Sequence, residues 1–178
     1  VTRAQLEHIL RAAGSIADDD DIVVIGSQAV LGQFADPPSE LLVSMEADVF
    51  PKNHPERADL IEGSIGEGSY FESTFGYYAQ AVGPETAVAP TGWMERLVPL
   101  KTPRTSGVTG WCLEIHDLVL SKCVAARDKD RVYIAAAIAH GLVSRATLES
   151  RLALLPVDDA RRARIAADLA GYFGDQTQ

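Results

Sequence analysis

Two carboxylates stand two residues apart in the stretch Val43-Ser-Met-Glu-Ala-Asp-Val-Phe50: Glu46 and Asp48, set into an otherwise apolar run. In an extended strand, residues i and i+2 share a face. Both acids therefore project together, while Val43, Met45, Ala47 and Val49 face the other way. Like charges this close repel each other, and an unpaired carboxylate is costly to bury. Such a pair is stable on a solvated edge or around a cation. The octet alone fits both an edge strand with one wet face and a site for a divalent metal.

About twenty residues upstream, Gly26-Ser27 separates the apolar run Ile22-Val-Val-Ile25 from a helical stretch, Gln28 to Phe34. A glycine there lets the backbone approach a ligand closely, and a helix N-terminus offers unpaired N–H groups to a phosphate. Neither GxxxxGK[ST] nor GxGxxG occurs, so the Walker and Rossmann phosphate sites are absent. A phosphate-binding turn followed by an acid-x-acid strand is the division of labour that phosphoryl or nucleotidyl transfer needs. One part seats a triphosphate and the other holds the metal that bridges its oxygens. Mg²⁺ (or Mn²⁺) takes one or two carboxylates plus substrate oxygens, and Glu46 with Asp48 supplies that minimum.

Further along, Lys122, Arg127, Lys129 and Asp130 lie within nine residues. Lys122 and Lys129 share a helical face if one helix runs through both. A lysine suits a triphosphate as a point charge on a flexible stem; the competing reading is a solvated basic face with weak ion pairs to Asp128 or Asp130. Among the aromatics from Tyr70 to Tyr78, Tyr77 or Tyr78 is the candidate platform for stacking a base, the others being core or loop anchors. His116, beside Glu114 at a helix start, reads as structural.

These residues need elements to position them. Leu6, Ile9, Leu10 and Ala13 have helical spacing after Thr2, with Gly14 as the expected stop. Asp18 to Asp21 read as a solvated loop, Ile22–Ile25 as a buried strand, and 41–50 as a strand closed by Pro51. A helix is expected over 55–63 and a long loop over 63–76. Strand or strand-with-turn segments follow at 77–82 and 93–100, then a strand over 110–115. Asp117 is the expected cap of a helix over 118–127. Helices over 130–140, 144–155 and 157–173 complete the chain, the last two split by Pro156. The order predicts an α+β fold: a small mixed β-sheet flanked by helices, with a helical C-terminal part. The expected division is a core over residues 1–115 and a helical part over 116–178 packed on it as one unit.

At 178 residues, 47% hydrophobic and 23% charged, the chain has enough apolar material for one well-filled core. Its apolar runs fall far short of a membrane span, and the first residues lack a secretory apolar region, so the expectation is a cytoplasmic protein with no membrane partner. Cys112 and Cys123 are too few for a disulfide framework. The net charge of −9 argues against non-specific adhesion to nucleic acid. The charge is uneven, however. Residues 1–94 carry 4 basic and 15 acidic side chains, whereas residues 95–131 carry 7 and 5, so a polyanion would meet the second segment.

Taken together, IVVIGSQAVLGQF, SMEADVFP, GYYAQAVGPETA and HDLVLSKCVAARDKDR resemble the polymerase-β superfamily of nucleotidyltransferase-like proteins. Within it the chain is most similar to the small bacterial group related to abortive-infection AbiEii-type toxins, over residues 20–135. The resemblance implies a nucleotidyltransferase fold and Mg²⁺- or Mn²⁺-dependent transfer of a nucleoside monophosphate from a nucleoside triphosphate such as ATP. It further implies an acceptor hydroxyl on RNA, in particular tRNA, and a toxin–antitoxin setting with an antitoxin protein as partner. On this likeness Gly26 and Ser27 match the phosphate-binding turn, Glu46 and Asp48 the metal pair, Lys122 the helix lysine, and Lys129 with Asp130 the closing motif. Arg127 and Tyr78 are further candidates for contacts to the nucleotide. The chain departs from the pattern in two places. Glu46 stands where Asp is usual, and a third carboxylate has no clear match, Glu85 and Glu114 being candidates. The alternative reading is a catalytically incomplete nucleotide-binding or partner-docking module on the same fold.

Overall fold

The computed structural model describes residues 1–174. The strands are β1 (Asp21–Ile25), β2 (Glu46–Pro51), β3 (Tyr78–Ala81), β4 (Val98–Leu100) and β5 (Thr109–Cys112). They form one mixed sheet in the order β3-β2-β1-β5-β4. β1 is central, antiparallel to β2 and parallel to β5, while β2 pairs with β3 in parallel and β4 with β5 antiparallel. Ile22, Val23 and Val24 have no exposed surface, as a strand covered on both faces requires.

Helix α1 (Arg3–Ala17) is opened by a capping box of Thr2 and Gln5. It buries Leu6, Ile9, Leu10 and Ala13 completely, in the expected spacing. It does not stop at Gly14. The glycine lies inside the helix because a Cβ there would fall 2.5 Å from Cγ2 of Val108; its role is close packing, and Asp18, with φ 51°, ends the helix instead. The aspartate loop is also less solvated than expected. Asp19 is buried, and its carboxylate accepts from the backbone N–H groups of Asp21, Asn53 and His54 and from the Asn53 side chain.

Three further expectations are corrected. The second strand begins at Glu46, not at position 41. Ser39–Leu41 form a 3-10 turn, and the ladder to β3 begins only at Glu46 opposite Tyr78. Val43 and Met45 are consequently 80% and 57% exposed, whereas Ala47 and Val49 face the core at 0%. The stretch 63–76 is not one loop: α2 (Ala58–Ile65) runs through Gly63, and α3 (Tyr70–Phe75) is capped by Ser69 and ended by Gly76. Trp93–Arg96 is a 3-10 turn, so the strand there is only Val98–Leu100.

Helices α4 (Ile115–Ala125), α5 (Asp128–Ala139), α6 (Arg145–Leu152) and α7 (Asp159–Gly174) make up the rest. Glu114, not Asp117, caps α4 by accepting from the N–H of His116. Asp117 is fully buried in the first turn, where Arg96 donates to both its carboxylate oxygens and Arg151 approaches to 3.3 Å. α4 packs against α5 and α6, and α7 against α5 and α6. No helix among the described residues is long and apolar enough to cross a membrane.

Candidate functional site

The site begins where β1 ends. After Ile25 the chain turns at Gly26, whose φ of 73° belongs to the left-handed region. It then enters a 3-10 turn, Ser27–Gly32. Ile25 is the register partner of Asp48 on the antiparallel neighbour, so the turn and the second acid of β2 lie side by side. A Cβ at position 26 would fall 1.9 Å from Oδ2 of Asp48. Glycine is thus required twice, by the backbone angle and by the carboxylate lying against it.

Glu46 and Asp48 share one face of β2, as period two dictates, and both line a cleft of about 250 Å³. Ser44 donates its hydroxyl to Glu46 at 3.2 Å. Among the described residues, no group donates a hydrogen bond to the Asp48 carboxylate. Burial, and then the neighbouring Glu46, push the Asp48 carboxyl up to about 6, against the opposing pull of Lys122, Lys129 and Arg127. A carboxylate without a donor, beside a second carboxylate, is an environment that favours a cation.

The opposite wall comes from α4, α5 and the bend between them. Ala126 adopts φ 54° and ends α4, and Arg127 becomes the N-cap residue of α5. Lys122 and Lys129 therefore sit on two helices rather than on one face of a single helix, yet both line the cleft together with Arg127. Lys122 is buried, and its ammonium donates to Ser27 Oγ at 2.9 Å and to Asp130 Oδ1 at 3.2 Å. It also lies 4.3 Å from the centroid of the Tyr133 ring. Burial lowers its pKa, and Asp130 works in the other direction.

Asp130 stands behind this wall with no exposed surface. Its carboxylate accepts from Arg127 Nε at 2.7 Å, Arg127 Nη2 at 3.1 Å and the Arg127 backbone N–H at 3.2 Å. Burial alone would raise its pKa, but the bonds from Arg127 and Lys122 outweigh it and the value is lowered. Asp130 does not line the cleft itself but fixes two cations, Lys122 and Arg127, that do. The bidentate grip on Arg127 holds a side chain that is 59% exposed.

Of the positions singled out from sequence, Gly26, Ser27, Glu46, Asp48, Lys122, Arg127 and Lys129 meet in this cleft. Tyr78 does not line it: it is the register partner of Glu46 on the edge strand β3. Its hydroxyl pKa is raised by burial and then by Glu46, Glu67, Glu72 and Glu62, an acidic setting. Neither candidate for a third carboxylate reaches the cleft. Glu85 curls over its own turn, where a Cβ on Gly83 would lie 2.0 Å from its Oε1. Glu114 is engaged by Arg151, by the His116 ring at 2.7 Å and by Gln33 at 3.4 Å. Burial works against its ionisation, yet His116 and Arg151 hold its carboxyl down to about 2. His116 is structural, its Nε2 accepting from the Ser144 N–H at 2.9 Å. Among the described residues, no group of three or more His, Cys, Asp or Glu could hold a metal ion.

Two contributors were missed. Tyr133 donates its hydroxyl to the Ser27 carbonyl at 2.8 Å, bracing the glycine-serine turn from α5. Its signal was position: a tyrosine three and four residues after Asp130 and Lys129, on the same helical face, must place its hydroxyl on a partner if buried. Gln80 lines the cleft as the register partner of Asp48, a consequence of sheet pairing.

The model of a family described as "nucleotidyltransferase of unknown function" (DUF6036) matches residues 4–169. No curated protein and no solved structure matches the chain. The match spans the whole sheet, the glycine-serine turn, the paired acids and the basic wall, and the chain belongs to this nucleotidyltransferase family.

Proposed function

We propose that the protein is a metal-dependent nucleotidyltransferase that moves a nucleoside monophosphate from a nucleoside triphosphate to an acceptor hydroxyl. The observation that carries this reading is the convergence of Glu46 and Asp48 with Gly26, Ser27, Lys122, Arg127 and Lys129 around one cleft. The donor set fits Mg²⁺ or Mn²⁺. Two hard carboxylate donors sit on one strand face, the Asp48 carboxylate receives no hydrogen bond among the described residues, and the remaining ligands are left to substrate oxygens. When bound, the cation supplies Lewis-acid polarisation and charge neutralisation at the reacting phosphate.

The chain's own part is to bind and orient. Gly26 and Ser27 leave backbone open to the phosphates, and Lys122 stands at hydrogen-bonding distance from Ser27. Arg127 and Lys129 add positive charge where a leaving pyrophosphate develops it in the opposite sense. Asp130 holds Lys122 and Arg127 in place and is a positioning residue. RNA, in particular tRNA, is the proposed acceptor, with ATP among the donors. Its support is the resemblance to the polymerase-β superfamily and AbiEii-type toxins, together with exposed Lys129 and Arg131 at the start of α5. A toxin role with an antitoxin partner rests on that resemblance alone.

Incubation with each labelled triphosphate, Mg²⁺ and bulk tRNA is expected to label the RNA and release pyrophosphate. A folded sample that binds triphosphate but transfers nothing to RNA or to a protein acceptor overturns the reading. One observation favours a second reading, a nucleotide-binding or partner-docking module. Among the described residues Glu46 and Asp48 are the only carboxylates lining the cleft, so none of them offers a third carboxylate to take the acceptor's proton. On that reading triphosphate binds without turnover and Asp48→Ala leaves the biological effect intact.

A further inference from the structure

A second groove, of about 250 Å³, adjoins the cleft and shares Ser27, Ser44, Lys122 and Lys129 with it. Its character is different: Leu41, Val43 and Val132 form its aliphatic lining. Val43 is 80% exposed and Val132 61%. Isolated apolar side chains at a surface are ordinary, but these two face one concavity beside a polar, charged cleft. Lys129 also lines the groove, and among the described residues it has no hydrogen-bond or ion-pair partner. Glu40 also lines it, and its carboxylate is already 3.5 Å from His140 Nε2.

The chemistry of the lining favours one kind of occupant. A nucleobase is held most strongly on an open aromatic face. The one ring present, Tyr133, is only 4% exposed, has its hydroxyl bonded to the Ser27 carbonyl, and is approached by the Lys122 ammonium at 4.3 Å from its centroid. What remains open is aliphatic surface next to an unpaired ammonium. That combination suits a branched aliphatic side chain with a carboxylate close to it in sequence.

We propose that this groove docks a segment of a partner protein, which seats an aliphatic side chain against Val43 and Val132 and pairs an acidic side chain with Lys129. Docking itself does not depend on what the cleft transfers, whereas its competition with a triphosphate rests on the function proposed above. Because Lys129 lines both cavities, a docked segment and a triphosphate compete for the same ammonium. Occupancy of the groove thereby reports to the cleft without entering it.

The test is a selection of phage-displayed peptides on the full chain, with the Val132→Asp variant as counter-target and circular dichroism confirming that the variant is folded. Recovered peptides are expected to carry an aliphatic residue within four positions of an acidic one. A synthetic copy followed by fluorescence polarisation should lose about tenfold in affinity to Val132→Asp and, separately, to Lys129→Gln, each the loss of one anchoring contact. Failure to recover peptides, recovery without that pattern, or equal binding to Val132→Asp overturns the proposal. So does a concentration-dependent dimer abolished by Val132→Asp, which would make a second copy the occupant. Methyl shifts at Val43 and Val132 on titration with adenosine would assign the groove to a nucleoside and overturn it equally.

Discussion

A Cβ at Gly26 would fall 1.9 Å from Oδ2 of Asp48, so the glycine-serine turn and the second acid of β2 occupy one interlocked position. Only glycine avoids both the overlap and the strain of φ 73°. Gly26→Ala must push the Asp48 carboxylate away or unwind the turn. The expected outcome is a loss of about 1–3 kcal/mol of stability, from left-handed strain and displacement together. Triphosphate affinity should fall further than that loss explains. Urea denaturation alongside calorimetric titration checks both; a variant with unchanged stability would show that the turn has room the geometry denies.

Glu46 and Asp48 repel each other in the absence of a cation. Asp48→Asn removes one charge at nearly constant volume and should raise the melting temperature of the metal-free protein. The same substitution should abolish stabilisation by Mg²⁺. At a free concentration ten times the dissociation constant, linkage gives wild type about 1.4 kcal/mol, a rise of roughly 3–6 °C for a chain of this length. Differential scanning fluorimetry with and without Mg²⁺, on both proteins, reads the two effects. An equal Mg²⁺ response in the variant would remove Asp48 from the proposed metal site.

Lys122 and Asp130 lie in one buried network but fail differently when removed. Asp130→Ala strands two cations, the buried Lys122 and the adjacent Arg127, and should destabilise by about 3–5 kcal/mol, as broken buried pairs do. Lys122→Met leaves Asp130 still held by three bonds from Arg127. It should therefore destabilise less than Asp130→Ala while weakening triphosphate binding more, since Lys122 lines the cleft and Asp130 does not. Equilibrium denaturation and nucleotide titration on the two variants should rank them in opposite orders.

The site was legible where chemistry follows directly from chain spacing. Period two on a strand places Glu46 beside Asp48, and a Gly-Ser break after an apolar run locates the turn. The basic wall was legible in composition but not in construction, because Ala126 takes a left-handed conformation that few non-glycine residues adopt and nothing in the local sequence announces it. Strand limits were least legible. Val43 and Met45 alternate correctly with Ser44 and Glu46, yet they are exposed, because pairing with β3 begins only at Glu46 and no local pattern carries that information. Gly14 misled for a related reason: its role is set by Val108, remote in sequence, and not by helix termination. Tertiary partners decided each of these.

Glu114 offers a pH-dependent prediction away from the cleft. Its carboxyl is held down to about 2 in the folded protein by His116 and Arg151, which outweigh its burial. In the unfolded chain an ordinary glutamate titrates at about 4.3. A depressed folded value means that the unfolded state binds the proton first on acidification. The stabilising contribution is therefore fully present above about pH 5 and is lost as pH falls toward 2. It amounts to roughly 2–3 kcal/mol at neutral pH, the side chain being only 12% exposed. Glu114→Gln should lower neutral-pH stability by a similar amount. It should also flatten the decline between pH 5 and pH 2 relative to wild type, so that the two proteins converge in acid. Urea denaturation midpoints over that range give the measurement; parallel curves for the two proteins would show that the tie from α4 to α6 through Arg151 does not depend on the Glu114 charge.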